Sequence, residues 1–260
     1  SVTQSVHKDM LVKNLTITLL PIDLAGLATL AWLALGVLGL LTPRRWIIGV
    51  LFPAGALVAL LLAAAGMWRL QTDSQTIVLP LGLPDLPFHL RLDALSAFLL
   101  VLLGSVSFGI ALYCAGYFRD DSRTSLSLFT LQYFVFLVGM TWVLLADDAY
   151  FFIVAWETMA LASYFLVTTE HENVPTRHAG VLCLLIAHVG AIAILLVFGV
   201  LQGGHGDYTF ATMRTAHPSE FWASITFLLA LFGFGAKAEL LPLHVWLPEA
   251  HRRCLPLSPP

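Results

Sequence analysis

Seven long apolar runs constrain this chain more than any other feature. About 20 apolar residues, rising about 1.5 Å each, cross the hydrocarbon core of a bilayer as a helix. Only helices and closed barrels satisfy their backbone hydrogen bonds in lipid, so the runs predict an all-α, polytopic transmembrane bundle of about seven spans. The runs are Leu19–Leu41, Trp46–Trp68, Ala94–Tyr117, Leu126–Leu145, Tyr150–Val167, Ala179–Leu201 and the stretch from Phe221 onward.

Composition supports the same class of protein. Only 11% of the residues are charged and the mean hydropathy is +0.85, whereas soluble domains carry about 25% charge. A net charge of -3 gives no support for nucleic-acid binding. The three cysteines lie far apart without CxxC spacing, so we expect no zinc or iron–sulfur site and no cofactor.

The polar breaks between the runs predict how the chain is organised. The break Arg69–Asp93 contains three prolines, and we interpret it as an extramembranous loop with room for a short hairpin. Asp147 and Asp148 lie between two spans and are expected to be solvated loop charges. Asp23, at the entrance of the first span, is typical of a helix start.

The two ends of the chain have an unusual composition. We interpret residues 1–18 as an N-terminal segment that is partly upstream sequence, and residues 19–251 as the transmembrane bundle. Residues 252–260 change composition abruptly, which suggests a frameshifted or truncated tail beginning near His251.

The orientation rests on Lys and Arg, which favour the cytoplasmic loops. With the N-terminus outside, the inner loops hold the larger share of the basic residues, but the bias disappears when Arg252 and Arg253 are left out. We therefore expect an outside N-terminus in a cytoplasmic (inner) membrane, although the charge signal for it is weak.

Three ionisable residues interrupt the apolar runs. Glu157 is about 10 Å deep in the fifth run, His188 lies in the middle of the sixth, and Lys237 lies within the seventh. A charge at a helix centre costs roughly 2.5–3.5 kcal/mol, so such residues face the bundle interior or line water. One interpretation is a static Glu–Lys pair that fixes packing. The other is a proton relay, for which the ordinary pKa of histidine is well suited.

The seventh run is longer than one span requires. Thirty residues from Phe221 to Ala250 would extend about 45 Å as a straight helix, against a core of about 30 Å. Pro242 removes a backbone donor, so we predict a helix broken at mid-membrane, with Glu239 and His244 beside the cavity. The alternative is an ordinary span that ends at Leu241 and is followed by a surface helix.

Two motifs resemble the antiporter-like membrane subunits of complex I, of Mrp-type antiporters, of formate hydrogenlyase and of hydrogenase-4, with the hydrogenase-4 subunit the most similar of these. Trp156-Glu157 followed by Leu161-Ala162-Ser163-Tyr164 looks like the family's fifth-helix motif. Gly235-Ala236-Lys237 followed by Pro242-Leu243-His244-Val245-Trp246-Leu247-Pro248-Glu249 looks like its broken seventh helix.

The resemblance implies a fold of about fourteen spans with two inverted five-helix repeats, of which this chain covers the N-terminal half. It also implies that Glu157 is the coupling glutamate and Lys237 the central lysine. His188 then matches a position where relatives carry a polar or basic group. Glu239 departs from the pattern, because close relatives usually have a small or apolar residue there.

The expected function is that of a proton-translocating membrane subunit of a redox-driven complex, without a redox centre of its own. Its expected partners are other membrane subunits, a peripheral redox arm, the lipid bilayer and protons. Two alternatives stay open: a subunit of a sodium/proton antiporter, and a structural membrane anchor without transport.

Overall fold

The computed structural model describes residues 20–83, 86–120, 125–170, 174–204, 206 and 208–238. Within those residues, seven helices are long and apolar enough to cross a membrane, which confirms the predicted bundle. The helices are α1 (Pro21–Leu41), α2 (Arg44–Arg69, with a π-helical turn at Ile47–Leu51), α3 (Ala94–Asp120), α4 (Leu126–Leu145), α5 (Ala149–Val167), α6 (Val174–Leu201), the single short turn α7 (Phe210–Met213) and α8 (Glu220–Lys237).

The N-terminus of α1 carries two residues that are typical of a helix start, Pro21 and Asp23. Pro21 occupies the first turn of α1, where a missing backbone donor costs nothing. The carboxylate of Asp23 accepts a hydrogen bond from the Leu20 backbone N–H at 2.9 Å. Asp23 is therefore a helix-start residue, as predicted.

The proline-containing segment between α2 and α3 folds as a β-hairpin. Strand β1 (Gln75–Leu83) pairs antiparallel with strand β2 (Leu86–Leu92), and the register shifts between Leu79 and Gly82. Gly82 has φ +116°, a conformation that L side chains rarely adopt, which explains a glycine at this irregularity. The hairpin expected within the loop is thus present.

The linker between α4 and α5 joins the hairpin to the segment that precedes α7. On one side, Leu90 pairs with Ala146, and the Asp147 N–H donates to the His89 carbonyl at 2.9 Å. On the other side, Asp148 pairs with Thr209. We call this end of the molecule, where β1, β2, α7 and the linker lie, the hairpin end.

Helices α6 and α8 approach each other closely at a pair of glycines. A Cβ atom added at Gly233 would lie 2.8 Å from the Gly190 carbonyl oxygen and 2.7 Å from the Ile194 side chain. Such small residues let helix backbones come together within a membrane, where packing rather than the hydrophobic effect drives association. This contact sets the position of α8 against α6.

Substitution of Gly233 tests that contact. We expect Gly233→Ala to destabilise the chain by about 1–3 kcal/mol, because the new methyl group would force the backbones apart. The measurement is denaturant unfolding in detergent micelles. Gly109→Ala is the matched control, since a Cβ there meets nothing within 4 Å; equal behaviour of the two variants would contradict the close packing.

Candidate functional site

The candidate site is a contact between an acidic and a basic side chain on two neighbouring membrane-spanning helices, α5 and α6. Glu157 lies eight residues into α5 from Ala149, about 12 Å from the helix start. His188 lies on α6, and its Nε2 atom is 3.2 Å from Oε2 of Glu157. Two of the three ionisable residues predicted from sequence are therefore brought into contact.

The second ring nitrogen of His188 fixes what this contact can be chemically. Nδ1 lies 2.9 Å from the Leu184 carbonyl oxygen, which can only accept a hydrogen bond. Nδ1 must therefore carry a proton, and a neutral ring presents a bare Nε2 lone pair to Glu157. Because a carboxylate oxygen also only accepts, the contact requires one proton, carried either by His188 or by Glu157.

Both side chains are partly exposed on the described surface. The exposed fraction is 43% for the His188 side chain and 29% for that of Glu157. Neighbouring residues Ala155, Trp156 and Met159 of α5 are buried, so the pair lies at the edge of the packed core and not within it. Water or further protein can therefore reach the pair.

Lys237 is the last residue of α8, four residues past Gly233, which packs against Gly190 of α6. Phe234, one turn before it, places its ring 5.9 Å from that of Trp156, the residue next to Glu157. The ion pair that the structure describes for Glu157 is with His188. Glu239, Pro242 and His244, and with them the predicted helix break, lie outside the described residues; α8 is helical up to Lys237.

Asp148 was predicted to be a solvated loop charge, and that prediction is wrong. The residue is 3% exposed. Its carboxylate caps α5 by accepting from the Phe151 N–H at 2.6 Å, and it accepts from the His89 N–H at 2.7 Å. An aspartate one residue before an apolar run is a typical N-cap signal, so the sequence held this information.

Asp147, also predicted to be solvated, has a side chain that is only 17% exposed. It belongs to a charge network at the hairpin end with Arg91, which lies 3.7 Å from it and 2.8 Å from Asp93. Burial raises the pKa of Asp147, although Arg91, Arg214 and His89 oppose that rise. Burial would also raise the pKa of Asp93, but hydrogen bonds from Ser96 and Arg91 lower it below its usual value.

A cavity of about 220 Å³ opens beside this network. It is lined by Leu86, Pro87, His89, Asp148, Gly206, Tyr208 and Thr209. Nδ1 of His89 is buried, without a hydrogen bond, 3.5 Å from the Asp148 carboxylate. Among the described residues, no group of three or more His, Cys, Asp or Glu is arranged to hold a metal ion.

The comparisons with known proteins agree with this architecture. Residues 146–258 match the family described as NADH:quinone oxidoreductase/Mrp antiporter, TM. Hydrogenase-4 component B of Escherichia coli is 38% identical over 62% of this chain and 24% of its own length. NADH-quinone oxidoreductase subunit L of Pseudomonas aeruginosa is 27% identical over 66% of this chain and 28% of its own length.

One solved structure has the same fold over most of the chain. It is a chain of the membrane-bound sulfane sulfur reductase, an archaeal respiratory membrane complex. The TM-score is 0.72 at 19% identity, covering 88% of this chain and 47% of the other. The chain thus spans about a quarter of the length of the two curated relatives and about half of the structural one.

The network of Arg91 predicts a pH-dependent stability. Arg91→Gln removes the cation that favours the ionised forms of both Asp93 and Asp147, so their pKa values should rise. At neutral pH both carboxylates are then charged without the guanidinium beside them. We expect the free energy of unfolding to fall by about 1 kcal/mol, a value that allows for partial exposure of the three side chains. As the pH falls and the carboxylates bind protons, the loss should shrink.

Unfolding curves of Arg91→Gln at pH 7 and pH 4 provide the measurement. Arg45→Gln is the control, because Arg45 is exposed and no carboxylate of the described residues pairs with it. If Arg91→Gln lowers the free energy of unfolding by the same amount at both pH values, the stabilisation by Arg91 is not electrostatic and the prediction is contradicted.

Proposed function

Because residues 146–258 match the family described as NADH:quinone oxidoreductase/Mrp antiporter, TM, we propose that the chain forms part of a proton-translocating subunit of a redox-driven complex. The observation that carries this proposal is the contact of Glu157 with His188. Two groups that share one proton at mid-membrane can accept it from one side and release it to the other without leaving an isolated charge.

Lys237 is the next member of the proposed relay. Lys237 ends α8 four residues past Gly233, which packs against Gly190 of α6, the helix that carries His188. Glu239, Pro242 and His244 are proposed to continue the path at a break in the same helix, in a region outside the described residues.

The chemistry of the pair favours protons over sodium. Hard cations prefer several oxygen ligands, whereas the polar contact that the structure describes for the Glu157 side chain is an imidazole nitrogen. An imidazole binds and releases protons near neutral pH. A sodium/proton antiporter subunit is the second candidate, and it rests on the Mrp antiporter in the family description.

A static anchor is the third candidate, with the pair serving only to hold helices together. The partial exposure of both side chains argues against it. An ionisable pair contributes little to packing when it lies at the edge of the core, and it is costly against lipid. We infer that further protein or a water-filled cavity covers this face in the complete assembly.

The proposed partners follow from the same reasoning. Other membrane segments would cover the face that carries Glu157 and His188, and a peripheral redox arm would supply the driving force. The named relatives include a hydrogenase component and an NADH-quinone oxidoreductase subunit, so either kind of complex could be the host. The proposed location is the cytoplasmic membrane, with the N-terminus outside.

Substitution of Glu157 tests the relay in the intact complex. We expect Glu157→Gln to lower redox-driven proton pumping at least tenfold, because the amide cannot bind or release the shared proton. His188→Lys retains a cationic partner and should keep part of the activity. Pumping is measured by dye quenching in inverted membrane vesicles, with assembly checked on native gels.

Glu220→Gln is the matched control, since Glu220 is exposed at the start of α8, and it should pump normally. Wild-type pumping by an assembled Glu157→Gln complex would refute the relay and support the anchor. Sodium-dependent transport without any redox partner would favour the antiporter.

A further inference from the structure

Five aromatic rings from four helices meet between the hairpin end and the Glu157–His188 pair. Phe152 is central to the group: its ring centroid lies 5.5 to 6.3 Å from those of the other four rings. We call the set the aromatic plug. Its members are Phe152 and Trp156 of α5, Phe198 of α6, Phe210 of α7 and Phe234 of α8.

The rings also contact one another around Phe152. Phe198 and Phe210 lie 5.5 Å apart, and Trp156 and Phe234 lie 5.9 Å apart in an edge-to-face arrangement. Edge-to-face and tilted pairs at these distances are attractive beyond the area that they bury. The plug is therefore a continuous packed unit that joins four helices, and its position depends on all of them.

The plug separates two polar sites. On one side is the cavity at the hairpin end, whose wall includes Asp148 and Thr209. Phe152 follows Asp148 by one helical turn, and Phe210 follows Thr209 directly. On the other side is Glu157, nine residues and about 14 Å along α5 from Asp148. The rings of Phe152 and Trp156 thus lie along α5 between Asp148 and Glu157.

The surroundings of the plug are apolar as well. Buried Ala149, Ile194, Val197 and Met213 pack around the rings. The one polar side-chain atom that the rings contribute is Nε1 of Trp156, which is buried and has no hydrogen-bond partner in the described structure. Among the ring atoms between the cavity and the pair, Nε1 of Trp156 is thus the one polar side-chain atom, and the rest are hydrocarbon.

We propose that the aromatic plug is a hydrophobic barrier that closes the Glu157–His188 pair to protons from the hairpin end. The inference rests on the proposed function, and it adds a direction: the pair exchanges its proton with the opposite side, and passage to the hairpin end requires the rings to separate. Apolar constrictions block ions and protons because water does not fill them.

A translocating protein needs such a barrier. A pair open to both membrane surfaces at once would conduct protons down their gradient and dissipate the energy that the complex stores. Charge transfer through hydrocarbon costs many kcal/mol, so a plug only a few rings thick suffices. The single donor of Trp156 is where the first water would bind when the rings separate.

The test uses the full chain in liposomes that contain a pH-sensitive dye. A pH gradient is imposed with the membrane potential clamped by potassium and valinomycin, and its decay is followed. We expect wild-type protein to hold the gradient and Phe152→Ala to accelerate the decay about tenfold, since loss of the ring thins the apolar constriction between the polar cavity at the hairpin end and the unpaired Nε1 of Trp156. Phe152→Leu keeps the site apolar and filled, so liposomes with this variant should hold the pH gradient as wild type does.

Two further variants keep the test decisive. Phe210→Ala opens the plug from the short helix α7 and should leak even if Phe152→Ala folds poorly. Phe227→Ala is the matched control, because Phe227 lies on α8 with its side chain 66% exposed, away from the plug; it should not leak. If Phe152→Ala and Phe210→Ala both fold and the pH gradient decays no faster than with wild type, the proposed barrier is overturned.

A second measurement reports hydration of the plug directly. Exchange of the Trp156 Nε1 proton with deuterated water, assigned with Trp156→Phe, should be slow in wild type and at least tenfold faster in Phe152→Ala. Equal exchange rates in the two proteins would contradict the barrier.

Combination with Glu157→Gln separates this inference from the proposed function. If the leak of Phe152→Ala disappears in the double variant Phe152→Ala/Glu157→Gln, the leak passes through the pair and both proposals stand. A leak that persists supports the barrier and places the relay elsewhere. If the ring variants do not leak but the Glu157→Gln complex no longer pumps, the barrier proposal fails and the relay proposal stands.

Discussion

The contact between Glu157 and His188 is the constraint on which the functional account depends. The carbonyl of Leu184 commits one ring nitrogen of His188 to donating, so the other faces a carboxylate oxygen 3.2 Å away. Two acceptors at that distance repel each other unless a proton lies between them. In the proposed function, helices α5 and α6 therefore hold one proton between these two side chains.

The polar contacts along α5 follow a definite order from the hairpin end. At the hairpin end, Asp148 caps the helix and binds the hairpin backbone, while Arg91 gathers two more carboxylates. Next along the helix comes the aromatic plug, and only after it the pair. This order places a charged end with a cavity on one side of the plug and the Glu157–His188 pair on the other. In the proposed function, such an order gives the proton path a direction.

The spans could be predicted from sequence because lipid imposes one length and one polarity on every crossing helix. Glu157, His188 and Lys237 were detectable for the same reason, as ionisable residues in apolar runs. The contact between Glu157 and His188 could not be predicted, since it depends on how α5 and α6 are rotated against each other. The burial of Asp148 was missed because it arises from pairing with residues about 60 positions away, His89 and Thr209.

The most direct test of the central claim is the protonation state of His188 in lipid bilayers. Solid-state NMR with nitrogen-labelled histidine, assigned with His188→Asn, reports both ring nitrogens across a pH titration. The account predicts that Nδ1 stays protonated throughout, while the proton at Nε2 and the carboxyl signal of Glu157 change together. A neutral ring with its proton on Nε2, or a Glu157 carboxyl that titrates independently of His188, would contradict it.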